Sequence, residues 1–260
     1  MSTRTTIAVP VAGAPAAAGK RGLAAYLVTP LALAAACLAL YLWIAGRELD
    51  SIEARSLNAA RLGTAVWQHV QLAAVSTIFT LAIAIPAGIL LTRPFTRRIR
   101  PALIGVLTLA QAVPTIAILV LLAVGFAFLG FWAAIVGLVL YAIVPVLLNT
   151  MVGLEQVDRA VLEAGRGMGM SKLTVLARIE LPLAVPVILA GIRTALVINV
   201  GTATLASYIN AGGLGDIIVA GLSTNRFSVQ LVGAALTAVL ALLIDYLAGI
   251  AEDLLRPRGL

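Results

Sequence analysis

Long apolar runs separated by short polar segments make up most of the chain. Leu23 to Ala45 is uncharged over 23 residues, Gln71 to Leu91 forms a second run, and Leu103 to Leu122 and Trp132 to Leu154 form a third and a fourth. Leu183 to Ile209 and Val229 to Ile250 complete the set, interrupted only by Arg193 and Asp245. A helix crosses the hydrocarbon core with about 20 predominantly apolar residues, so the pattern predicts an all-α, polytopic membrane bundle of about six transmembrane helices. Pro86, Pro114 and Pro145 fall inside runs two to four, where a missing amide permits a bend. A short turn around Gly125 to Gly130 joins the third run to the fourth. The first run exceeds the roughly 7 to 15 apolar residues of a signal-peptide core and is expected to be a retained span. Ala34-Ala35-Ala36-Cys37 is a poor lipoprotein cleavage site, with Ala34 in the place of the usual branched residue.

The polar segments give the organisation. Residues 1–22 lack apolar periodicity and are expected to be a disordered cytoplasmic tail. The first helix and an exterior segment occupy 23–62, a transmembrane domain 63–252 with a cytoplasmic loop at 155–180, and a second tail 253–260. Gly13 to Lys20 is not a phosphate-binding loop, because five residues separate Gly13 from Gly19 and Arg21 stands where a magnesium-binding hydroxyl belongs. Arg47 to Arg61 is short, polar and mixed in charge, and Ala211 to Phe227 is a glycine-rich loop. Arg93, Arg97, Arg98 and Arg100 crowd into eight residues after the second run. With both termini inside, cytoplasmic segments hold 13 Lys and Arg and exterior segments four, the remaining one being Arg193, as the positive-inside rule requires.

Composition agrees with this pattern. Hydrophobic residues make up 62%, charged residues 11%, and mean hydropathy is +1.08, against about half and about a quarter for a soluble domain. The net charge of +7 and pI near 10.3 do not point to nucleic acid, because the basic residues lie between apolar runs without interleaved aromatics. The single cysteine, Cys37, excludes an intramolecular disulfide and a Cys-rich metal site, and is expected to face lipid or packing. His69 has no metal-binding companions nearby in sequence and reads as a structural residue near the membrane interface. No metal, catalytic residue or cofactor is expected in this chain.

Glu155 to Glu180 is the longest charged interruption of the membrane domain, with acids Glu155, Asp158, Glu163 and Glu180 against bases Arg159, Arg166, Lys172 and Arg178. Asp158 is placed to cap a helix starting at Arg159, and Gly167 or Gly169 to end it in left-handed geometry. Ser171 is placed to cap a second helix, in which Leu173, Leu176 and Ala177 recur at helical spacing, ending at Leu181-Pro182. A compact helical hairpin results. Ala160, Ala164 and Gly165 allow close approach of another backbone, whereas a charged loop of this kind also suits a plain solvated connector.

The spacing favours the first reading. Glu163-Ala164-Gly165, Gly169 six residues after the Glu, Ile179 ten after that, and Leu181-Pro182 resemble the Glu-Ala-Ala…Gly…Ile-x-Leu-Pro signature of ABC importer permeases. Gly165 departs from the family's second Ala, a change that weakens a helix by up to about 1 kcal/mol. The resemblance covers roughly Trp67 to Ile250 and is closest to the glycine betaine, proline betaine, carnitine and choline branch. It is carried further by Ala110-Gln111-Ala112-Val113-Pro114-Thr115, by Glu163 to Ser171, and by Gly201-Thr202-Ala203-Thr204-Leu205-Ala206 with Ala211-Gly212-Gly213-Leu214-Gly215-Asp216. The last block also occurs in methionine-type permeases, which leaves an amino-acid cargo as the alternative.

That resemblance implies a type I importer permease in the cytoplasmic membrane. Such a permease pairs with a second copy or a sister permease, rests on two separate ATPase subunits, and receives cargo from an external substrate-binding protein. It implies that 157–170 is the coupling helix, with Asp158, Glu163, Ala164, Gly165, Gly169, Ile179, Leu181 and Pro182 forming the ATPase-coupling segment. Closure of the ATPases would move this hairpin as a rigid body.

Polar residues within spans tend to face protein or a water-filled cavity. Asn149, Asn199, Thr202 and Thr204 are candidates for a weakly polar passage or for bonds between helices, and Gly212, Gly213 and Gly215 for an exterior gate or binding-protein contact. Arg193 can pair with Asp245 or join the pathway, but snorkelling to the cytoplasmic edge is the preferred expectation. Aromatics are only 5%, and quaternary ammonium recognition uses aromatic cages, so selectivity is expected in the external binding protein. An ion-coupled transporter would call for inverted repeats and buried acids, and a membrane enzyme for a nucleophile or His/Asp constellation. Neither pattern is evident in the sequence.

Overall fold

A computed structural model describes residues 23–255, and every regular element among them is helical. The expectations for residues 1–22 and for Arg256 and Arg258 lie outside the described residues. Helix α1 (Leu23–Ala45) is followed by the short α2 (Ser51–Ser56) and the 33-residue α3 (Ala59–Leu91). Then come α4 (Arg100–Gln111), α5 (Thr115–Val120) with a wide π-turn over Leu121–Gly125, and α6 (Phe131–Glu155). A hairpin of α7 (Arg159–Gly167) and α8 (Lys172–Val175) leads into α9 (Leu181–Ala203), and α10 (Leu214–Ser223) and α11 (Phe227–Leu255) close the described chain. Five helical segments are long and apolar enough to span a membrane, and the bent α4–α5 pair makes a sixth if it counts as one.

Five details differ from the sequence expectations. The third run is a pair of helices bent by 89° rather than one straight span. Pro114 supplies no amide, excludes the helical region for Val113, and stands as the N-cap of α5. Helix α3 begins at Ala59 instead of Gln71, because the Asn58 side chain accepts from the Arg61 amide at 2.8 Å and caps it there. Its length of about 50 Å exceeds the hydrocarbon thickness of about 30 Å, so part of the helix projects beyond it. Leu181-Pro182 does not end the second hairpin helix: Lys172 to Ile209 runs on as one 38-residue span. The π-turn over Leu176–Glu180 admits the Pro182 ring without a break. Finally, the glycine-rich loop contains α10, and α11 continues to Leu255, into the segment assigned to the tail.

The core lies where α6 meets α3 and α9, with small residues at the crossings. A Cβ on Gly191 would stand 2.6 Å from the Asn149 Cβ, and one on Gly88 2.8 Å from Thr150. Such close backbone approach is how helices pack where lipid supplies no hydrophobic drive between them. Leu72, Leu119, Leu138 and Ile209 fill one core cluster, and Ala142, Val146, Met151 and Ala195 belong to another. Helix α1 stands apart: Leu27, Val28, Leu31, Leu38, Tyr41 and Leu42 are all exposed. It is tied to α11 by the Tyr246 hydroxyl, which donates to the Tyr26 carbonyl at 2.7 Å, and by Tyr26 to Asp253 at 2.9 Å. Cys37 on α1 is exposed.

Candidate functional site

Local chemistry builds the hairpin. The Asp158 carboxylate accepts from the Ala160 amide at 2.9 Å and starts α7. At the other end the Gly169 amide donates to the Arg166 carbonyl at 2.9 Å and the Met170 amide to the Gly165 carbonyl at 3.2 Å. Gly169 itself sits at φ +85°, the paired-bond, left-handed helix stop that glycine accepts without a Cβ penalty. Ser171 accepts from the Thr174 amide at 3.2 Å and starts the return helix.

Packing between the two arms explains the spacing of the motif. A Cβ on Gly165 would lie 2.6 Å from the Ile179 Cδ1, so the residue that departs from the family pattern is the one that receives Ile179. Val175 is fully buried beside them, whereas Leu173 is 77% exposed and Ala177 is exposed. The inward face is therefore Val175 and Ile179 rather than the face of Leu173 and Ala177, with Leu176 half-buried. Glu163, Ala164 and Gly169 are exposed, and with them Val161, Met168 at 72% and Leu173. Apolar side chains turned outward from a charged loop add contact surface of the kind found at protein interfaces.

The hairpin is fastened to the membrane helices at its base. Leu154, Ala184 and Ile188 pack with Leu176 and Leu181, and Pro182 is half-buried next to Leu181. Glu180 is 5% exposed and accepts two bonds from Arg93, at 2.6 Å and 3.4 Å. Arg93 also donates Nε to the Ile89 carbonyl at 3.2 Å, so the end of α3 and the root of α9 share one fork-shaped ion pair. Arg100 makes a similar two-point pair with Glu155, one bond being 3.0 Å, which joins α4 to the end of α6. Sequence reading found neither pair, since the partners are 87 and 55 positions apart.

The candidate passage residues take up different roles. Asn199 is fully buried and donates to the Thr77 hydroxyl at 3.0 Å, linking α9 to α3. Asn149 donates to the Pro145 carbonyl at 2.8 Å within α6. Thr202 and Thr204 bond back to the Ile198 and Gly201 carbonyls, each at 2.7 Å. Arg193, expected to snorkel, instead forms a two-point pair with Asp245 at 2.5 and 2.7 Å, with Glu252 at 3.7 Å. Two nearby acids on α11, Asp245 and Glu252 toward the helix's end, hold the guanidinium to that helix.

The three loop glycines are explained by close contact. Gly212 and Gly213 have φ of +82° and +102°, and the Gly213 amide donates to the Gln68 side chain at 3.1 Å. A Cβ on Gly215 would lie 2.0 Å from the Thr204 carbonyl oxygen. His69, fully buried, accepts from the Leu214 amide at its Nδ1 (3.2 Å) and lies with its Nε2 2.9 Å from the Val200 carbonyl. With Nε2 as the donor it clamps α3, α9 and the start of α10, and both ring nitrogens are occupied.

At the same end of the molecule α2 latches onto α11. Glu53 accepts from the Ser228 hydroxyl and from the Asp50 amide at 3.0 Å, while Asp50 pairs with Arg226 at 2.6 Å. The Ser228 hydroxyl first, then the Asp50 amide, hold the Glu53 carboxyl below its ordinary range, and the Glu53 amide and Arg226 do the same for Asp50. Depressed carboxyls stabilise the latch above their unfolded pKa and lose that effect as pH falls through the folded values. A spin-label distance from α2 to the start of α11, in a Cys37→Ser background, is expected to hold from about pH 8 to 5 and lengthen below about pH 4. A distance that stays unchanged as pH falls below the ordinary carboxylate range would contradict the latch.

Residues 84–258 match the family model described as binding-protein-dependent transport system inner membrane component. The chain is 40% identical over 203 residues to the carnitine transport permease protein OpuCB of Listeria monocytogenes, covering 78% of this chain and 92% of that one. The choline transport system permease protein OpuBB of Bacillus subtilis is 38% identical over 207 residues, with the same coverage of both chains. The osmoprotectant import permease protein OsmY of Salmonella typhimurium is 39% identical over 210 residues, 81% of this chain and 86% of that one. Among solved structures, the inward-facing MetNI methionine ABC transporter superposes with a TM-score of 0.66 at 24% identity, over 75% of this chain and 96% of that one. An amino acid ABC transporter with histidines gives 0.64 at 16% identity, over 80% and 99%. These two fix the fold as that of type I ABC importer permeases. By family match and by identity over most of its length, the chain belongs to the binding-protein-dependent inner membrane components, the multi-pass permease subunits of ABC importers.

Proposed function

We propose that this permease carries quaternary ammonium osmoprotectants such as glycine betaine, choline and carnitine into the cell, driven by ATP hydrolysis in separate subunits. The observation that carries the coupling half of this reading is the outward face of the 157–170 hairpin. It is apolar around an exposed Glu163, closed by Gly169, and anchored through Glu180 to Arg93. Two ATPase subunits docking there would pass their motion to α3 and α9 together, because the ion pair joins those helices at the hairpin's base. A second copy or a sister permease completes the pathway, an external binding protein selects the cargo, and both termini lie in the cytoplasm. In this arrangement 23–62 adds a peripheral helix and an exterior latch to a transport domain at 63–252, and the latch and α10 face the binding protein.

The cargo half rests on relatives named for carnitine, choline and osmoprotectants at about 40% identity. The methionine alternative rests on the Gly201 to Asp216 block that also occurs in methionine-type permeases and on a fold-level likeness at 24% identity. The test is uptake of labelled glycine betaine, with choline as competitor, in salt-stressed cells that lack other betaine importers, with and without this chain and its partners. ATP-dependent accumulation blocked by excess unlabelled betaine is expected. No accumulation by a complex shown to be assembled would move the cargo to another small solute.

A further inference from the structure

The arginine cluster after α3 does more than record topology. Leu91, Thr92, Arg93, Arg97, Arg100, Glu155 and Arg159 line a cleft of about 360 Å³ between α3, α4, α6 and the hairpin. Arg93 is neutralised by Glu180 and Arg100 by Glu155. Arg97 and Arg159 face the same cleft and form no ion pair with any described residue. The cleft therefore keeps two uncompensated positive charges. The start of α4, which has no side-chain cap, adds the partial positive charge of a helix N-terminus. An oxyanion with several acceptor oxygens matches this donor set.

The surroundings indicate which oxyanion. Phe95 is 75% and Ile99 60% exposed on the segment that carries Arg97, and Leu103, Val106 and Leu109 continue as exposed apolar residues along α4. Exposed apolar side chains alternating with arginines mark a segment at the boundary between acyl chains and headgroups. A soluble anion gains nothing from those apolar neighbours, whereas a lipid phosphate at that depth brings its acyl chains alongside them. We propose that this cleft binds the phosphate headgroup of an anionic phospholipid of the inner leaflet. Basic recesses between helices on the cytoplasmic side are suited to such headgroups. Because Arg159 opens the coupling helix and Arg93 and Arg100 hold its anchors, an occupied cleft braces the hairpin against α3 and α4. The inference concerns lipid, not cargo, and stands whatever solute is carried.

The test is lipid retention by the full-length chain, taken in mild detergent from mixed phosphatidylglycerol and phosphatidylcholine vesicles and read by native mass spectrometry. The wild-type chain is expected to retain phosphatidylglycerol preferentially, and R97Q/R159Q to lose that preference about tenfold or more. Arg98→Gln, in the same exposed cluster but outside the cleft lining, is expected to change it less than about twofold. Equal preference in R97Q/R159Q and wild type would overturn the site. Inorganic phosphate displacing the lipid at millimolar concentration would overturn the lipid as its occupant. Loss of ATPase association by R97Q/R159Q with lipid preference intact would assign the arginines to the ATPase instead. If R97Q/R159Q fails to fold, the wild-type chain decides: raising salt to about 0.5 M should abolish the preference, and a salt-insensitive preference overturns the proposal.

Discussion

Replacing Glu163 with Arg is expected to reduce transport at least about tenfold while leaving membrane insertion intact. Glu163 is exposed and makes no bond that shapes the hairpin, so the substitution leaves folding alone and reverses a charge on the proposed docking face. Like-charge juxtaposition or loss of a charge partner at an interface costs on the order of 2 kcal/mol or more, enough for the stated loss. Gly169→Arg reaches the same end by another route. At φ +85° a side chain costs about 1–2 kcal/mol of backbone strain, and the hairpin tip is presented wrongly. Detergent pull-down of the ATPase subunits beside an insertion assay separates these effects. Wild-type ATPase retention and transport in both variants would remove the hairpin from the coupling path.

Glu180→Ala is expected to be the most damaging single charge removal among the described residues. It leaves the Arg93 guanidinium, only 27% exposed, without its carboxylate, and an orphaned partner of a buried pair costs about 3–5 kcal/mol. Arg93 retains some access to solvent, which lowers the figure to about 2–4 kcal/mol. Thermal stability should fall and, even where the variant is folded, ATP hydrolysis should run without matching transport, because α3 no longer follows the root of α9. The exchange R93E/E180R should recover part of the stability. An E180A protein with wild-type melting and a wild-type ratio of transport to hydrolysis would show that the pair is not the anchor.

How far the sequence could be read depended on whether each feature is local. Asp158, Gly169 and Ser171 act on amides and carbonyls within a few residues, so the hairpin's caps and reversal follow from their neighbours. Hydropathy located the spans for the same reason. It could not disclose the 89° bend between α4 and α5: Pro114 signals that a bend is permitted, whereas packing of the flanking helices sets its size. Pro182 misled in the opposite direction, since a π-turn absorbed the ring and the helix continued. Helix α10 was hidden because Gly212 and Gly213 before it read as loop, and at ten residues it is too short to register as a span. The Arg93–Glu180 and Arg193–Asp245 pairs depend on which helices become neighbours. Asp245 was recognisable as a possible partner of Arg193 because each is the charge that interrupts its apolar run, but no such isolation marked Arg93 among its four arginines.

Engagement of ATPase subunits at the hairpin, as proposed, puts Glu163 within cross-linking reach of them. Cys37 is the chain's sole cysteine, so a Cys37→Ser background allows a single thiol to be placed at Glu163 and fitted with a photo-activated cross-linker in the assembled complex. An adduct with the ATPase subunit is expected, its yield changing when nucleotide is trapped, and no such adduct from a thiol at Ser223 on α10. Failure of the Glu163 position to reach the ATPase, with the complex intact and the Ser223 position cross-linking in its place, would contradict it.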